Sequence, residues 1–231
     1  MTIRNLEKMF NPGSIVLVGA SSKPGSVGNT SLRNLIDGGF EGEIFLVNPK
    51  GGKLNDQPVY ASVRELPKAP DLALIATPPD TVPGIIADLG MMGTRDAVVI
   101  TAGFTEGDNA AGKMLCDQML EAAKPHVMRI IGPNCLGIQV PRIHLNAGFA
   151  PLTGFAGKIA FVTQSGAVMA AVLDWATHRQ IGFSHCVSMG DMSDVDFGDM
   201  LDYLCTDSHT RAILLYIEAV TNARKFISGG R

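Results

Sequence analysis

The 231-residue sequence has no block of like charge, and no apolar run approaching the ~20 residues that a membrane-spanning helix needs. Only 18% of residues are charged and the net charge is −3, which argues against a protein that binds nucleic acid by neutralising phosphates. Cysteine is scarce. Cys116, Cys135, Cys186 and Cys205 are far apart, with no CxxC pair and no histidine at zinc-ligand spacing, so neither a disulfide framework nor a metal site is expected. The first eight residues, from Met1 to Lys8, lack the apolar core of a signal peptide, and reduced thiols in a cytoplasmic protein are the expectation. What is abundant is aliphatic: 46% hydrophobic residues suffice for a sizeable core in one large domain or two small ones.

Short β-branched runs alternate with amphipathic stretches, the pattern of repeated βα units in an α/β protein. Strands are predicted at 14–18, 43–47, 72–76, 97–101 and 129–131, and helices at 28–37, 80–92 and 109–123. The nearly all-apolar strands suit a parallel sheet covered on both faces. Five strands complete one doubly wound domain near Pro141. The pattern then restarts, with strands at 158–163, 184–188 and 212–217 and helices at 167–177, 196–205 and from 222. Residues 142–157, with Pro151 and three glycines, read as a linker, giving domains 1–142 and 143–231. The second unit stops after three strands, and 228–231 reads as a loop. An unfinished sheet edge of that kind would recruit a partner strand or aggregate, so oligomerisation, including a homo-oligomer, or instability is expected.

The first strand runs into Gly19-Ala20-Ser21-Ser22-Lys23-Pro24-Gly25-Ser26-Val27-Gly28 and then a helix, a junction that exposes backbone N–H groups at a positive helix terminus. Ser21 stands where the second glycine of GxGxxG would be, so this is not the usual dinucleotide fingerprint. After the second strand, NAD binders carry an acidic residue for the ribose hydroxyls. Here Asn48-Pro49-Lys50 supplies a cation, which fits a phosphorylated ribose: the 2′-phosphate of NADP or the 3′-phosphate of coenzyme A. Thr77-Pro78-Pro79, Ala102-Gly103-Phe104 and Gly132-Pro133-Asn134-Cys135-Leu136-Gly137 follow later strands and face the same crevice. Pro78 and Pro79 stiffen a loop on which an adenine could lie. No base neighbours Cys135 in sequence, so a packed thiol is expected there and not a nucleophile.

In the second unit, Gln164-Ser165-Gly166-Ala167 forms another strand–turn–helix junction able to take a phosphate. It resembles a nucleophile elbow, but Thr163 replaces the first glycine of GxSxG. Gly190-Asp191 and 194–199 read as an acidic loop capping the next helix. Glu218 ends the last strand on the ligand-facing edge.

The segments GASSKPGSVGN, VNPK, TPP, GPNCLG, VTQSGA, SMGD and YIEAV occur in the order found in NDP-forming acyl-CoA synthetases, and from about Phe10 onward the sequence resembles that family. The superfamily includes the succinyl-CoA synthetase alpha subunit, and related CoA-binding portions occur in some protein acetyltransferases. The resemblance implies a Rossmann-like CoA-binding domain followed by an incomplete flavodoxin-like α/β domain. It implies that Gly19, Ser21, Ser22, Lys23, Gly25, Ser26, Val27 and Gly28 wrap the CoA phosphates. Asn48, Pro49 and Lys50 would lie by the ribose and adenine with Pro78 and Pro79, and Asn134 and Cys135 by the thiol end. Gln164, Ser165, Gly166 and Ala167 would hold inorganic or transferred phosphate, and Glu218 would orient a catalytic phosphohistidine.

The family joins a small carboxylic acid to CoA at the expense of ATP or GTP, passing through an acyl phosphate. Its histidine loop lies beyond the next strand, and no ATP-grasp sequence is present. ATP, ADP and Mg would therefore enter through a partner domain or subunit, and this stretch alone is not expected to turn over. Ser208-His209-Thr210 precedes the strand bearing Glu218 and is followed by Arg211, so His209 reads as a turn residue; His126, His144, His178 and His185 lack motif context. Two other readings stand beside this one: an NADP-dependent oxidoreductase, although no Tyr-x-x-x-Lys pair is seen, and a non-catalytic CoA- or nucleotide-sensing module.

Overall fold

The computed structural model describes residues 5–104 and 110–230. The stretch 1–4, the predicted helix start at Asn109 and the terminal Arg231 lie outside the described residues. The chain forms two sheets. In the first, β1 (Ser14–Val18), β2 (Glu43–Val47), β5 (Leu72–Ile75), β6 (Asp96–Val99) and β7 (Arg129–Ile131) are parallel, with every strand end within two residues of its sequence prediction. A hairpin of β3 (Gly52–Leu54) and β4 (Gln57–Tyr60) extends the sheet past β2, so the expected five strands are seven, in the order β3-β4-β2-β1-β5-β6-β7. Asn55 and Asp56, both at positive φ, make its two-residue turn. Chain order reverses at β1, which has β2 on one side and β5 on the other. In an open α/β sheet that is where ligands bind.

The period-2 alternation of β1 sorts the two faces. Val16 and Val18 face a core containing Val82, Ile86 and Leu89 of α3 (Val82–Met92) and Met119 of α4 (Ala110–Ala123). Ile15 and Leu17 face the other core, with Leu6, Met9 and Phe10 of a short α1 (Leu6–Phe10), Leu32 and Leu35 of α2 (Val27–Asp37), and residues of the second unit such as Val140, Val162 and Phe197. The two units thus share one hydrophobic core.

The second sheet also exceeds its prediction. Besides β10 (Phe155–Thr163), β11 (Gly182–Ser188) and β12 (Ala212–Tyr216), it contains β8 (Gly137–Val140) and β9 (Leu145–Gly148), in the order β12-β10-β11-β8-β9. The region expected as a linker therefore carries β9 and the start of β10. Antiparallel pairing of β8 with β11, Ile138 beside Val187, removes these backbones from solvent. One face packs on α5 (Gly166–His178) and the other on α6 (Phe197–Thr206), with α7 (Ala223–Gly229) against α6. Residues 228 and 229, expected in a loop, complete α7, whose start is capped by Asn222 accepting from Lys225 N. The architecture is a Rossmann-like α/β unit joined to a flavodoxin-like one. Among the described residues no helix is long and apolar enough to cross a membrane.

Asp96, at the start of β6, is fully buried, and neither carboxylate oxygen has a hydrogen-bond partner among the described residues. Burial pushes its carboxyl up to about 8, against the opposing charge of Arg129 and with help from Asp71 and Asp194. The folded state therefore holds a proton that the unfolded state releases near pH 4, and stability from this group falls as pH rises from about 4 to 8. Asp96→Asn is expected to match wild type near pH 4 and exceed it by roughly 2–5 kcal/mol at pH 8, read from urea unfolding across that range. A difference that does not change with pH would refute the assignment.

Candidate functional site

At the end of β1 the chain turns through Gly19, at φ +99°, whose N–H, like that of Ala20, donates to Val47 O. A Cβ on Gly19 would stand 2.3 Å from Ala76 O, and one on Gly28, in the first turn of α2, 1.9 Å from Gly19 O. These glycines let helix, loop and the exit of β5 close on one another, as a loop that presents its backbone to a ligand requires. Ser26 caps α2 by accepting from Asn29 N and donates its hydroxyl to Lys23 O. Ser21 Oγ accepts from Lys23 N, so two of the three loop serines order the loop itself. Asn48 Nδ2 donates to Ala20 O and Asn48 Oδ1 accepts from Lys50 N, tying the turn after β2 to the glycine loop.

Two clefts open at this end of the sheet. The first, about 470 Å³, is lined by Gly19, Ser21, Asn48, Pro49 and Pro78 among others. The second, about 550 Å³, reaches from Val27 and Thr101 past Asn134 and Cys135 to Gly166 and Ala167 of α5. Ala76 and Thr77 line both, so the clefts meet end to end between the glycine loop and the start of α5. Thr101 Oγ1 donates to Thr77 O at 2.7 Å and fixes the loop at the junction. Of the residues singled out in the sequence, Ser22, Lys23, Gly25, Ser26, Gly28, Lys50, Gln164 and Ser165 line neither cleft; Lys50 is exposed on the turn beside Pro49. Pro79 stands behind the wall, near Gly103.

Cys135 lines the second cleft yet is only 4% exposed, and its thiol donates to Val99 O at 3.3 Å. Burial pushes it up to about 12, which leaves no thiolate at neutral pH. Asn134, at φ 56°, donates its backbone N–H to Thr101 O and its side chain to Asp191 Oδ1. Beside it the segment 190–195 runs along β7: Asp191 N donates to Pro133 O, Ser193 N to Gly132 O and Val195 N to Ile130 O. The acidic loop predicted to cap a helix does so, since Asp196 and Asp199 form a capping box on α6.

At the second junction, Ser165 caps α5 by accepting from Val168 N, while its own N–H donates to Thr163 Oγ1. Gly166 and Ala167 bring to the cleft the first-turn amides that a helix leaves without internal acceptors. Gln164 Oε1 accepts from Glu218 N at 2.7 Å and Ala219 N at 2.8 Å, clamping the turn after β12. Glu218 itself is exposed and lines neither cleft. His209 is 48% exposed in a turn with Asp207. His185 is buried edge-on to Phe10 and Tyr203, and burial lowers its ring to about 4, so it stays neutral. Among the described residues no group of three or more His, Cys, Asp or Glu could hold a metal ion.

Sequence reasoning missed apolar walls of these clefts, Phe149 and Ala170 in the second and Ile85 in the first, together with Ser62 and Asp88. For Ile85 and Asp88 a signal existed. With Thr81 they recur at helical spacing beside the buried stripe Val82, Ile86 and Leu89.

Residues 13–141 match the family model described as a CoA binding domain, and residues 156–231 match the succinyl-CoA ligase like flavodoxin domain. The chain is 40% identical to the acetate–CoA ligase [ADP-forming] I subunit alpha of Pyrococcus furiosus, covering 96% of this chain and 49% of that one. It is 39% identical to the acetate–CoA ligase [ADP-forming] I of Archaeoglobus fulgidus, covering 96% of this chain and 32% of that protein. Among solved structures, the dinucleotide forming acetyl-coenzyme A synthetase 1 of Ca. Korarchaeum cryptofilum, in complex with phosphate and ADP, superposes with a TM-score of 0.91 at 38% identity, over 97% of this chain and 48% of that one. The chain spans at most about half the length of these relatives. It belongs to the CoA-binding domain family, in the arrangement that follows this domain with a succinyl-CoA ligase-like flavodoxin domain.

Proposed function

We propose that this chain is the CoA-binding portion of an NDP-forming acid–CoA ligase. The observation that carries the proposal is the pair of clefts that meet at Ala76 and Thr77 and connect the glycine loop with the N-terminus of α5. CoA has the matching order of parts: a phosphorylated nucleotide, a long neutral arm and a thiol. Backbone amides of 19–28 and Lys23 would hold the pyrophosphate, with no Cβ at Gly19 or Gly28 to obstruct it. Lys50 would swing to the 3′-phosphate as a point charge, and Pro49 and Pro78 would flank the base. The arm would pass Thr77 and Thr101 to leave the thiol near Asn134 and Cys135. Cys135, protonated and hydrogen-bonded, fills space there and leaves the nucleophile to the ligand.

The amides of Gly166 and Ala167 would stabilise a phosphoryl group at the far end of the same channel. Glu218, fixed by the Gln164 clamp, is offered to a phosphohistidine carried by the remainder of the enzyme. An ATP-grasp domain or subunit would bring ATP and Mg, and a small carboxylic acid would be the acyl donor.

Calorimetric titration with CoA, dephospho-CoA, NADP and NAD tests this reading on wild type and Lys50→Ala. CoA is expected to bind, with a loss of about tenfold on removal of either the 3′-phosphate or Lys50. NADP binding without a CoA response would overturn it.

A further inference from the structure

We infer that Asp88 reads the base of the bound nucleotide, its carboxylate accepting a hydrogen bond from the exocyclic amino group of adenine. The inference rests on the CoA reading and adds a recognition residue to it. Thr81, Ile85 and Asp88 lie at i, i+4 and i+7, and all three line the first cleft, while Val82, Ile86 and Leu89 on the adjoining stripe are fully buried. The cleft is otherwise mostly apolar, with Val18, Val47, Val63 and Ile85 offering flat hydrocarbon to a ring. Asp88 breaks that surface. Its side chain is 17% exposed and held by Arg64, whose Nη2 donates to Asp88 Oδ1 at 2.7 Å. Arg64 is 70% exposed and does not line the cleft, so it fixes the carboxylate from outside and leaves the second oxygen for a ligand.

A carboxylate repels phosphate, so the phosphates belong at the Gly19 end, where backbone N–H groups are offered, and the Asp88 end calls for a donor. The uncharged donor on an adenine nucleotide that reaches beyond its sugar is the 6-amino group. A desolvated acceptor positioned for such a donor discriminates strongly against a ligand that lacks it, because the acceptor is then left unpaired.

The test is calorimetric titration of the full chain with CoA and with desamino-CoA, which carries purine in place of adenine, on wild type and Asp88→Ala, with thermal melts of each. Wild type is expected to prefer CoA by about tenfold or more, and Asp88→Ala to bind both ligands equally, near the wild-type affinity for desamino-CoA. Should Asp88→Ala not fold, Asp88→Leu carries the same comparison with the cleft volume kept. Equal binding of the two ligands by wild type overturns the inference. So does a variant that weakens both ligands alike and keeps their ratio, the result of a purely structural role. If wild type binds neither ligand, the CoA reading itself fails. That outcome is separable, since base discrimination is scored only on a chain that binds CoA.

Discussion

Gly28→Ala is expected to lower stability by about 3 kcal/mol or more and to abolish CoA binding. The added Cβ would lie 1.9 Å from Gly19 O and 3.0 Å from Gly19 C, both backbone atoms with no rotamer to yield. Helix α2 cannot slide away. Ser31, Leu32 and Leu35 on the same helix are buried, and Asn34 Nδ2 donates to Gly148 O and Ala150 O of the second unit. Gly19 cannot retreat either, because its N–H is held by Val47 O and its own missing Cβ faces Ala76 O at 2.3 Å. For a chain of this size the loss corresponds to a Tm lower by roughly 6–12 °C. Gly84→Ala is the control. Nothing lies within 4 Å of its would-be Cβ, and an alanine in the first turn of α3 should be neutral or gain about 0.4–1 kcal/mol. A Gly28→Ala protein as stable as Gly84→Ala would mean that the loop does not sit on the helix as described.

The second large effect is expected at the joint between the units. Arg129 of β7 is 12% exposed and bonds Asp194 through Nε at 2.9 Å and Asp199 through Nη2 at 3.1 Å. Asp199 is fully buried, and Lys225 reaches it from α7 at 2.5 Å. Burial opposes the charge on Arg129, but the two carboxylates outweigh it and hold the guanidinium more firmly protonated than usual. Arg129→Met removes the charge and keeps much of the volume, leaving Asp194 and Asp199 short of a partner. A cost of about 3 kcal/mol is expected, the low end for breaking a buried pair, because Lys225 remains on Asp199 and Ile130 N on Asp194. Arg33→Ala, which breaks an exposed i,i+4 pair with Asp37, should change stability by less than about 0.5 kcal/mol. Equal effects from the two substitutions, measured by urea unfolding, would refute the assignment of a buried joint.

The parts of the fold that the sequence displayed are those where a buried face imposes a pattern on a long segment. The strands of the first parallel sheet are apolar on both faces and could be read to within two residues. The hairpin of β3 and β4 could not, because its three- and four-residue strands sit at the sheet edge, carry Lys53 and Pro58, and bury little. Its turn, Asn55-Asp56, was the available clue. The pair β8 and β9 escaped for a different reason. β8 and β9 pair with each other across only four residues, but what adds them to the sheet is the pairing of Ile138 and Gln139 with Val187 and Cys186 of β11, nearly fifty positions later, and no local signal reports so distant a partner. The glycine loop and the helix start at Gly166 were legible because turns and caps have chemistry of their own. Gln164 was read as a phosphate ligand because its motif stands at a helix N-terminus. That its Oε1 accepts from the backbone of Glu218 and Ala219 is a tertiary fact, as is the absence of Lys50 from the cleft lining.

The backbone bonds that run from Asp191, Ser193 and Val195 to Pro133, Gly132 and Ile130 have a mechanical meaning. They stitch the second unit to the last strand of the first at the very floor of the channel, where a hinge would otherwise lie. Gly190 tightens the seam, since a side chain there would meet Pro133 O at 2.1 Å. With that seam closed and one core shared between the sheets, the molecule does not admit a long ligand by opening like a jaw. The width of the channel is built in at folding, and the hydrogen bond from Thr101 Oγ1 to Thr77 O holds the loop after β5 in the same way. A rigid trough of this kind can hold its occupant still while other parts of an enzyme travel to it.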